Sequence, residues 1–413
     1  MYLFVVFFLQ TQAQQPTQNI RGTVLDKESQ RSIPGANIVI NPLNKGTSSD
    51  VEGNFELRDV PVGRHTLVVS FLGYEPYVLS NINLSSGKEL ILNIALSASF
   101  TELAEVEVKA KKNSAEANNE MAVVSARSFS VEETQRYAAA IFDPARMALN
   151  FAGVNTGGDD LQNEIVVRGN SPKGILWCLE RIEIPNPNHF DDLGATRGAI
   201  SMLSSSTLAA SDFYTGAFPA EYGNALSGVF DLQFRNGNNQ KREYAFMVGI
   251  AGMEASLEGP FSKKSKASYL FNYRYSNTAL LSSFIEDAIG SAIPKYQDLS
   301  FKINLPTQKW GTFSLFALGG YNIYVEELEA DSALWNEDDW NFEAYRSEQY
   351  KGVMGLSHRF FINQNAYIKS VASLSANNFE SRNVGIDNAY YISPTLYGLG
   401  FFIFFGNPVH TNW

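Results

Sequence analysis

From residue 242 onward, polar and apolar positions alternate in segments of about ten residues separated by turn sequence. In residues 295–305, Gln297, Leu299, Phe301, Ile303 and Leu305 fall on one face, and Tyr296, Asp298, Ser300, Lys302 and Asn304 on the other. In residues 267–276 the apolar face is Tyr269, Phe271, Tyr273 and Tyr275, against Ser268, Asn272 and Arg274. A soluble sandwich also alternates, but it does not spend so many tyrosines on one face or run about seven or eight such segments in succession. The pattern predicts part of a transmembrane antiparallel β-barrel over residues 242–413. Tyr244, Phe246, Val248 and Ile250 should face lipid in the first strand, and Met253, Ala255 and Leu257 in the second, opposite Glu254, Ser256 and Glu258. Connections alternate short (residues 260–266, 306–309 and 362–365) and long (277–294 and 324–342), as periplasmic turns and external loops do. Leu280, Leu281, Phe284, Ile285 and Ile289 predict a small amphipathic helix in the first long loop. Residues 397–413 lose the alternation, so Trp413 does not end an alternating strand.

Upstream, the periodicity is different. Residues 2–9, YLFVVFFL, form an apolar run too short to cross a bilayer, followed by Thr11, Gln12 and Ala13. This predicts a signal peptide over residues 1–13, although a positive leading region is missing. Residues 20–97 carry short alternating strands between Gly, Pro and Asp turns, which predicts a seven-strand-class β-sandwich. Ala36, Ile38 and Ile40 share one face, as do Leu67, Val69 and Phe71. Residues 98–120 form a linker rich in Ala, Ser, Asn, Glu and Lys. Residues 121–236 read as a mixed α/β domain. Ser130 and Glu133 make a capping box before a helical run to Asn150, broken and restarted at Asp143-Pro144. Short strands are expected over residues 164–168 and 181–184.

Composition narrows the class. Of 413 residues, 18% are charged and 13% aromatic, unusual in a cytosolic enzyme and ordinary in a barrel with aromatic girdles. There is no stretch of 18 apolar residues, so no membrane-crossing helix is expected. A net charge of −11 argues against nucleic acid as a partner. The single cysteine, Cys178, allows neither a disulfide framework nor a thiolate metal cluster, and beside Trp177 it reads as packing.

Two groups of motifs carry a resemblance. GTVLD, PGANIVI, GTSSDVEGNFEL and PVGRHTLVVSFLGYEP, with Gly46, Thr47, Asp50, Gly53 and Phe55 as the most specific spacing, resemble the carboxypeptidase-regulatory-like domain, a transthyretin-like sandwich. RMALNFAGV, EIVVRGNSP, GILWCLERIEIPNPNHF and FPAEYGNALSGVFDLQ resemble the plug of TonB-dependent outer-membrane receptors. Its most recognisable residues are Arg168 and Gly169, then Tyr222, Gly223, Ser227 and Gly228. Arg181 stands where that family turns on a small residue. The resemblance implies a mainly β protein: N-terminal sandwich, α/β plug domain and barrel. It also implies the outer membrane of a Gram-negative bacterium, with the N-terminal domain in the periplasm. The implied partners are a TonB-type energy-coupling protein, outer-membrane lipid, a small nutrient ligand and a surface lipoprotein.

Glu105, Val106, Glu107, Val108, Lys109 and Ala110 alternate within the linker, where the family carries its coupling segment, the TonB box. Two readings stand: that segment, or a last strand of the sandwich. A barrel of eight strands is filled by its own side chains, and plugged ones have roughly 22. The chain is therefore expected to hold only the first strands of a wall.

No catalytic, cofactor or metal constellation stands out. His65, His189, His358 and His410 are scattered and read as surface or lumen residues, and no zinc set assembles around His65. Asp26 and Asp50 read as turn formers. The pairs Asp159-Asp160 and Asp191-Asp192 read as solvated carboxylates, with cation binding as the sharper alternative. Trp335, Trp340 and Tyr345 in the second long loop are candidates to stack on a ligand, beside acidic Glu337, Asp338 and Asp339. The leading expectation is a transporter of a siderophore, cofactor, glycan or peptide, not an enzyme. The competitors are a non-energised pore or adhesin-type barrel, and an accessory domain of a secreted peptidase.

Overall fold

Gly, Pro and Asp punctuation cuts the first unit of the chain (Met1–Ser114) into seven described strands. They are β1 (Thr17–Asp26), β2 (Asn37–Asn41), β3 (Lys45–Ser48), β4 (Asn54–Pro61), β5 (Gly63–Ser70), β6 (Tyr77–Leu84) and β7 (Leu90–Leu96). They form two sheets, in the orders β4-β1-β7 and β3-β2-β5-β6, with β1 and β7 parallel. Alternation sends Ile20, Val24, Ile38, Ile40, Leu57, Leu67 and Val69 into the core between them. The Asp50 carboxylate accepts from the amides of Glu52 (2.9 Å) and Asn54 (2.8 Å), so the most specific motif of this region is a turn device. His65 is buried, and its Nε2 lies 2.6 Å from the Pro61 carbonyl, not at the surface.

The computed structural model describes residues 16–26, 31–96, 126–129, 143, 145–157, 163–191, 198, 200–209, 211–249, 252–262, 265–277, 295–307, 309–326, 343–362, 367–385 and 389–406.

The second unit (Ala115–Trp413) contains an inner domain and a wall. The inner domain comprises β8 (Ala126–Phe129), β9 (Val154–Thr156), β10 (Ile165–Val167), β11 (Ile175–Leu179), β12 (Ile182–Glu183), β13 (Asn188–His189), β14 (Ile200–Ser201), β15 (Ser211–Tyr214) and β16 (Gly228–Leu232). Its main sheet runs β12-β11-β16-β15-β8, with β11 and β16 parallel. Every residue of β11, β15 and β16 is buried. That explains why β11 carries the continuous apolar run ILWCL: a strand covered on both faces has no polar face to alternate with. The expected strands over 164–168 and 181–184 are shorter, because Arg168 and Arg181 both lie in turns with positive φ (52° and 70°). Of the expected helical run, the described part is a 3₁₀ turn over Ala145–Asn150, opened by Asp143 accepting from the Ala145 amide.

The wall is one meander of eight antiparallel strands in chain order. They are β17 (Glu243–Gly249), β18 (Gly252–Pro260), β19 (Ser268–Asn277), β20 (Lys295–Pro306), β21 (Thr312–Glu326), β22 (Glu343–Phe361), β23 (Tyr367–Gly385) and β24 (Ala389–Gly406). Three expectations are corrected. Residues 397–406 belong to β24 despite losing alternation, since the ladder to β23 is made by the main chain. β22 and β23 run 19 residues each, beyond the 9–11 that a bilayer needs. The outward face of β22 shows where the surplus lies: Leu356 and Met354 give way to Glu348 and Arg346 towards the long connection. Finally, the connections after β17 and β23 are short, so that rim does not carry only long loops. The predicted helix in the first long loop lies outside the described residues.

The alternation of the wall is inverted relative to a soluble sheet. The polar side chains are the buried ones: Glu258, Asn272, Asp298, Ser300, Asn322 and Gln349 are all at most 3% exposed. Tyr244, Phe246 and Val248, 66–74% exposed, face outward.

Candidate functional site between the inner domain and the wall

The buried polar face of the wall is covered by the inner domain, and the contact is both apolar and ionic. Phe316 and Leu318 of β21, Val353 of β22 and Val371 of β23 join a core with Leu179, Phe213 and Leu232 of the inner sheet. That core also holds Trp177 and Phe230, stacked at 4.3 Å between centroids and 6° between planes.

Charge pairs stitch the seam at two levels. Towards the short turns, Arg235 makes a two-pronged contact with Glu258 of β18 (2.7 and 2.8 Å), and the Asn238 amide donates to the same carboxylate at 2.8 Å. Lys302 of β20 donates to Glu180 (2.7 Å) and to the Phe234 carbonyl (2.8 Å). Glu180 occupies, with Arg181, the two central positions of the β11–β12 hairpin, where both φ values are positive (54° and 70°). Such a turn favours Gly or Asn. Here it aims the Glu180 carboxylate at the wall. Burial pushes that carboxyl up, but Lys302 and Lys369 beside it leave it below the usual range.

Towards the long connections, His189 is fully buried. The Asn322 amide faces its Nδ1 at 3.3 Å, which leaves Nε2 as the N–H donating to Asp298 at 3.0 Å. Burial holds His189 below its ordinary value, consistent with this neutral tautomer. Asp298 also receives both prongs of Arg274 (2.8 and 2.7 Å), and Arg274 reaches back to the Ser201 carbonyl. Lys351 of β22 donates to the Asn188 carbonyl (2.8 Å) and to Asp191. Gly320 is needed at this level because a Cβ there would meet Met202 at 2.4 Å and His189 at 2.6 Å. Of the two readings for His189, surface or lumen, its place against the inward face of the wall excludes the first, and Asp191 is an ion-pair partner, not a solvated carboxylate.

The expected plug-motif residues lie in the turns and strands of the inner domain. Arg168 and Gly169 (φ 52° and 77°) are the central pair of a tight turn closed by Asn170 N to Val167 O at 2.9 Å. Tyr222 is buried and donates to Asp231 at 3.0 Å. Gly223 is exposed. The amides of Leu226 and Ser227 both donate to the Gly174 carbonyl at 2.9 Å, which sets Gly228 at the start of β16. Cys178 packs with Leu176, Tyr214, Tyr222 and Val229, and burial pushes its thiol up. Among the described residues no His, Cys, Asp and Glu group could hold a metal ion.

Of the ligand-loop candidates, Trp335 and Trp340 lie outside the described residues. Tyr345 is in β22, not in a loop, on the face of Ser347, Gln349 and Lys351, with its ring 6.0 Å from that of Tyr324. Glu105, Val106, Glu107, Val108, Lys109 and Ala110 lie outside the described residues, as do Asp159, Asp160 and His410.

Residues 20–108 match the CarboxypepD_reg-like domain family, so the N-terminal part of the resemblance drawn from the motifs holds. The match takes in Glu105 to Val108. Over 91 residues the chain is 31% identical to TonB-dependent receptor P3 of Formosa agariphila; that stretch is 22% of this chain and 8% of that protein. In fold it is similar to the siderophore receptor PirA from Acinetobacter baumannii (16% identity, TM-score 0.41, covering 62% of this chain and 40% of that one). It is likewise similar to a mutant of the ferric enterobactin receptor PfeA from Pseudomonas aeruginosa (12% identity, TM-score 0.41, 68% of this chain and 44% of that one). The chain spans less than half the length of each of these proteins.

Proposed function

We propose that the chain supplies the periplasmic sandwich, the plug and eight wall strands of a TonB-dependent outer-membrane receptor, a transporter and not an enzyme. It would take up a scarce nutrient when an energy-coupling protein moves the plug. The observation that carries this reading is the inverted sheet: an outward face of exposed aromatics and aliphatics, and a polar face sealed by a charge-stitched inner domain. A bare pore has no need of that domain, and a soluble sandwich would not expose Tyr244, Phe246 and Val248. Siderophore, cofactor, glycan and peptide ligands stay open.

Coupling would act through Glu105, Val106, Glu107, Val108, Lys109 and Ala110, pairing as an added strand with the partner's sheet. The second reading, a last strand of the sandwich, is favoured by the family match reaching residue 108. Proline separates the two, because it removes an amide donor and fixes φ. In receptor-bearing cells, Val106→Pro and Val108→Pro should abolish uptake while surface ligand binding persists, and Val106→Thr should be mild. Full uptake with both prolines present overturns the coupling role. Protease sensitivity of the sandwich in the proline variants assigns the segment to that domain instead.

A further inference from the structure

We propose that the short-turn rim of the wall is a docking surface for anionic phospholipid headgroups, built from Lys266 and Lys309 with Phe261, Trp310 and Ile362 as apolar anchors. The proposal rests on the reading of the wall as membrane-spanning. Pairing of β18 with β19, β20 with β21 and β22 with β23 brings the turn residues Phe261, Lys266, Thr307, Lys309, Trp310 and Ile362 to one end of the sheet. Each turn carries one large apolar side chain in the open: Phe261 at 50%, Trp310 at 70% and Ile362 at 56% exposure.

Trp310 is exposed while its main chain is hydrogen-bonded on both sides. Its amide donates to Thr307 Oγ1 at 3.0 Å, and its carbonyl accepts from His358 Nε2 at 2.6 Å. The rings beside it belong to the outward face of the wall. Phe313 stacks on His358 at 4.2 Å, and His358 on Phe360 at 6.3 Å. Phe261 packs edge-on against outward Tyr269 at 5.4 Å. Aromatics grouped where an apolar face ends are how a barrel meets the headgroup layer. Their position on the outer side of the wall favours lipid over a soluble partner.

Charge chooses the headgroup. The three turns contain four lysines and no acidic residue, whereas the long connections at residues 278–294 and 327–342 contain eight acidic residues and no Lys or Arg. A lysine held near an anionic surface is worth roughly fivefold in binding (about 1 kcal/mol).

The test uses the complete receptor that contains this chain, added from detergent to phosphatidylcholine vesicles and to vesicles of equal parts phosphatidylcholine and phosphatidylglycerol. Insertion is followed by flotation, and depth by quenching with bromine-labelled acyl chains, with Trp310→Phe identifying the Trp310 signal. Insertion should be faster in the anionic vesicles. The double variant Lys266→Gln, Lys309→Gln should lose about 25-fold of that advantage, with its behaviour in phosphatidylcholine unchanged. Equal insertion in both lipids, or an unaltered preference in the double variant, overturns the proposal. So does Trp310 quenched by the periplasmic coupling protein and not by lipid, which would make the rim a protein contact. Failure to float with either lipid instead overturns the membrane reading beneath it.

Discussion

Asp231 lies in the middle of β16 with its side chain buried and one oxygen accepting from the Tyr222 hydroxyl. Burial pushes its carboxyl up to about 6 despite the nearby Arg181, and burial likewise lifts Asp143 to about 6. In the unfolded chain both would titrate near the ordinary aspartate value of about 3.9. Between those two values the folded state holds more protons than the unfolded one, so stability falls as pH rises from about 4 to about 6 and then levels off. The stabilising contribution of the protonated acid is complete below the unfolded value and lost on passing the folded one. Asp231→Asn keeps an acceptor for Tyr222 and removes the charge. It should stabilise the inner sheet at pH 7 by on the order of 2–3 kcal/mol and change little at pH 4. Hydrogen exchange of the β11 and β16 amides at the two pH values measures this, and equal protection of variant and parent at pH 7 would count against a strained carboxylate.

At the scale of elements, the wall was legible because period two is a local signal: β19 and β20 bury the very faces their alternation marks as polar. The partners of those polar residues were not legible. Arg235 and Glu258, Glu180 and Lys302, or His189 and Asp298 are brought together by the inner domain lying on the wall, and no spacing along the chain encodes that. The Glu180-Arg181 turn was readable only as a departure from a small-residue turn, and its purpose shows once Lys302 stands opposite. Buried pairs of this kind add little net stability, but losing one partner strands the other. Arg235→Met, which takes the guanidinium away from buried Glu258, should destabilise the inner domain by about 3–5 kcal/mol. Adding Glu258→Gln should restore most of that, since glutamine still accepts from Asn238. Protection of the β15 and β16 amides reads both variants; a double variant as weak as the single one would show that packing, not charge, sets the cost.

At the scale of the whole molecule, the account requires an outward face in lipid and an inward face sealed from both lipid and water. Spin labels placed singly along β20, in a Cys178→Ser background and in bilayers, test this most directly through collision with oxygen, which favours lipid, and with a polar nickel chelate, which favours water. Labels at Leu299, Phe301 and Ile303 should collide with oxygen and not with nickel, while labels at Ser300 and Lys302 should be shielded from both because the inner domain covers them. Nickel reaching Ser300 and Lys302 freely would mean an open, water-filled lumen and would contradict a plugged transporter, and nickel reaching both faces would contradict a membrane wall.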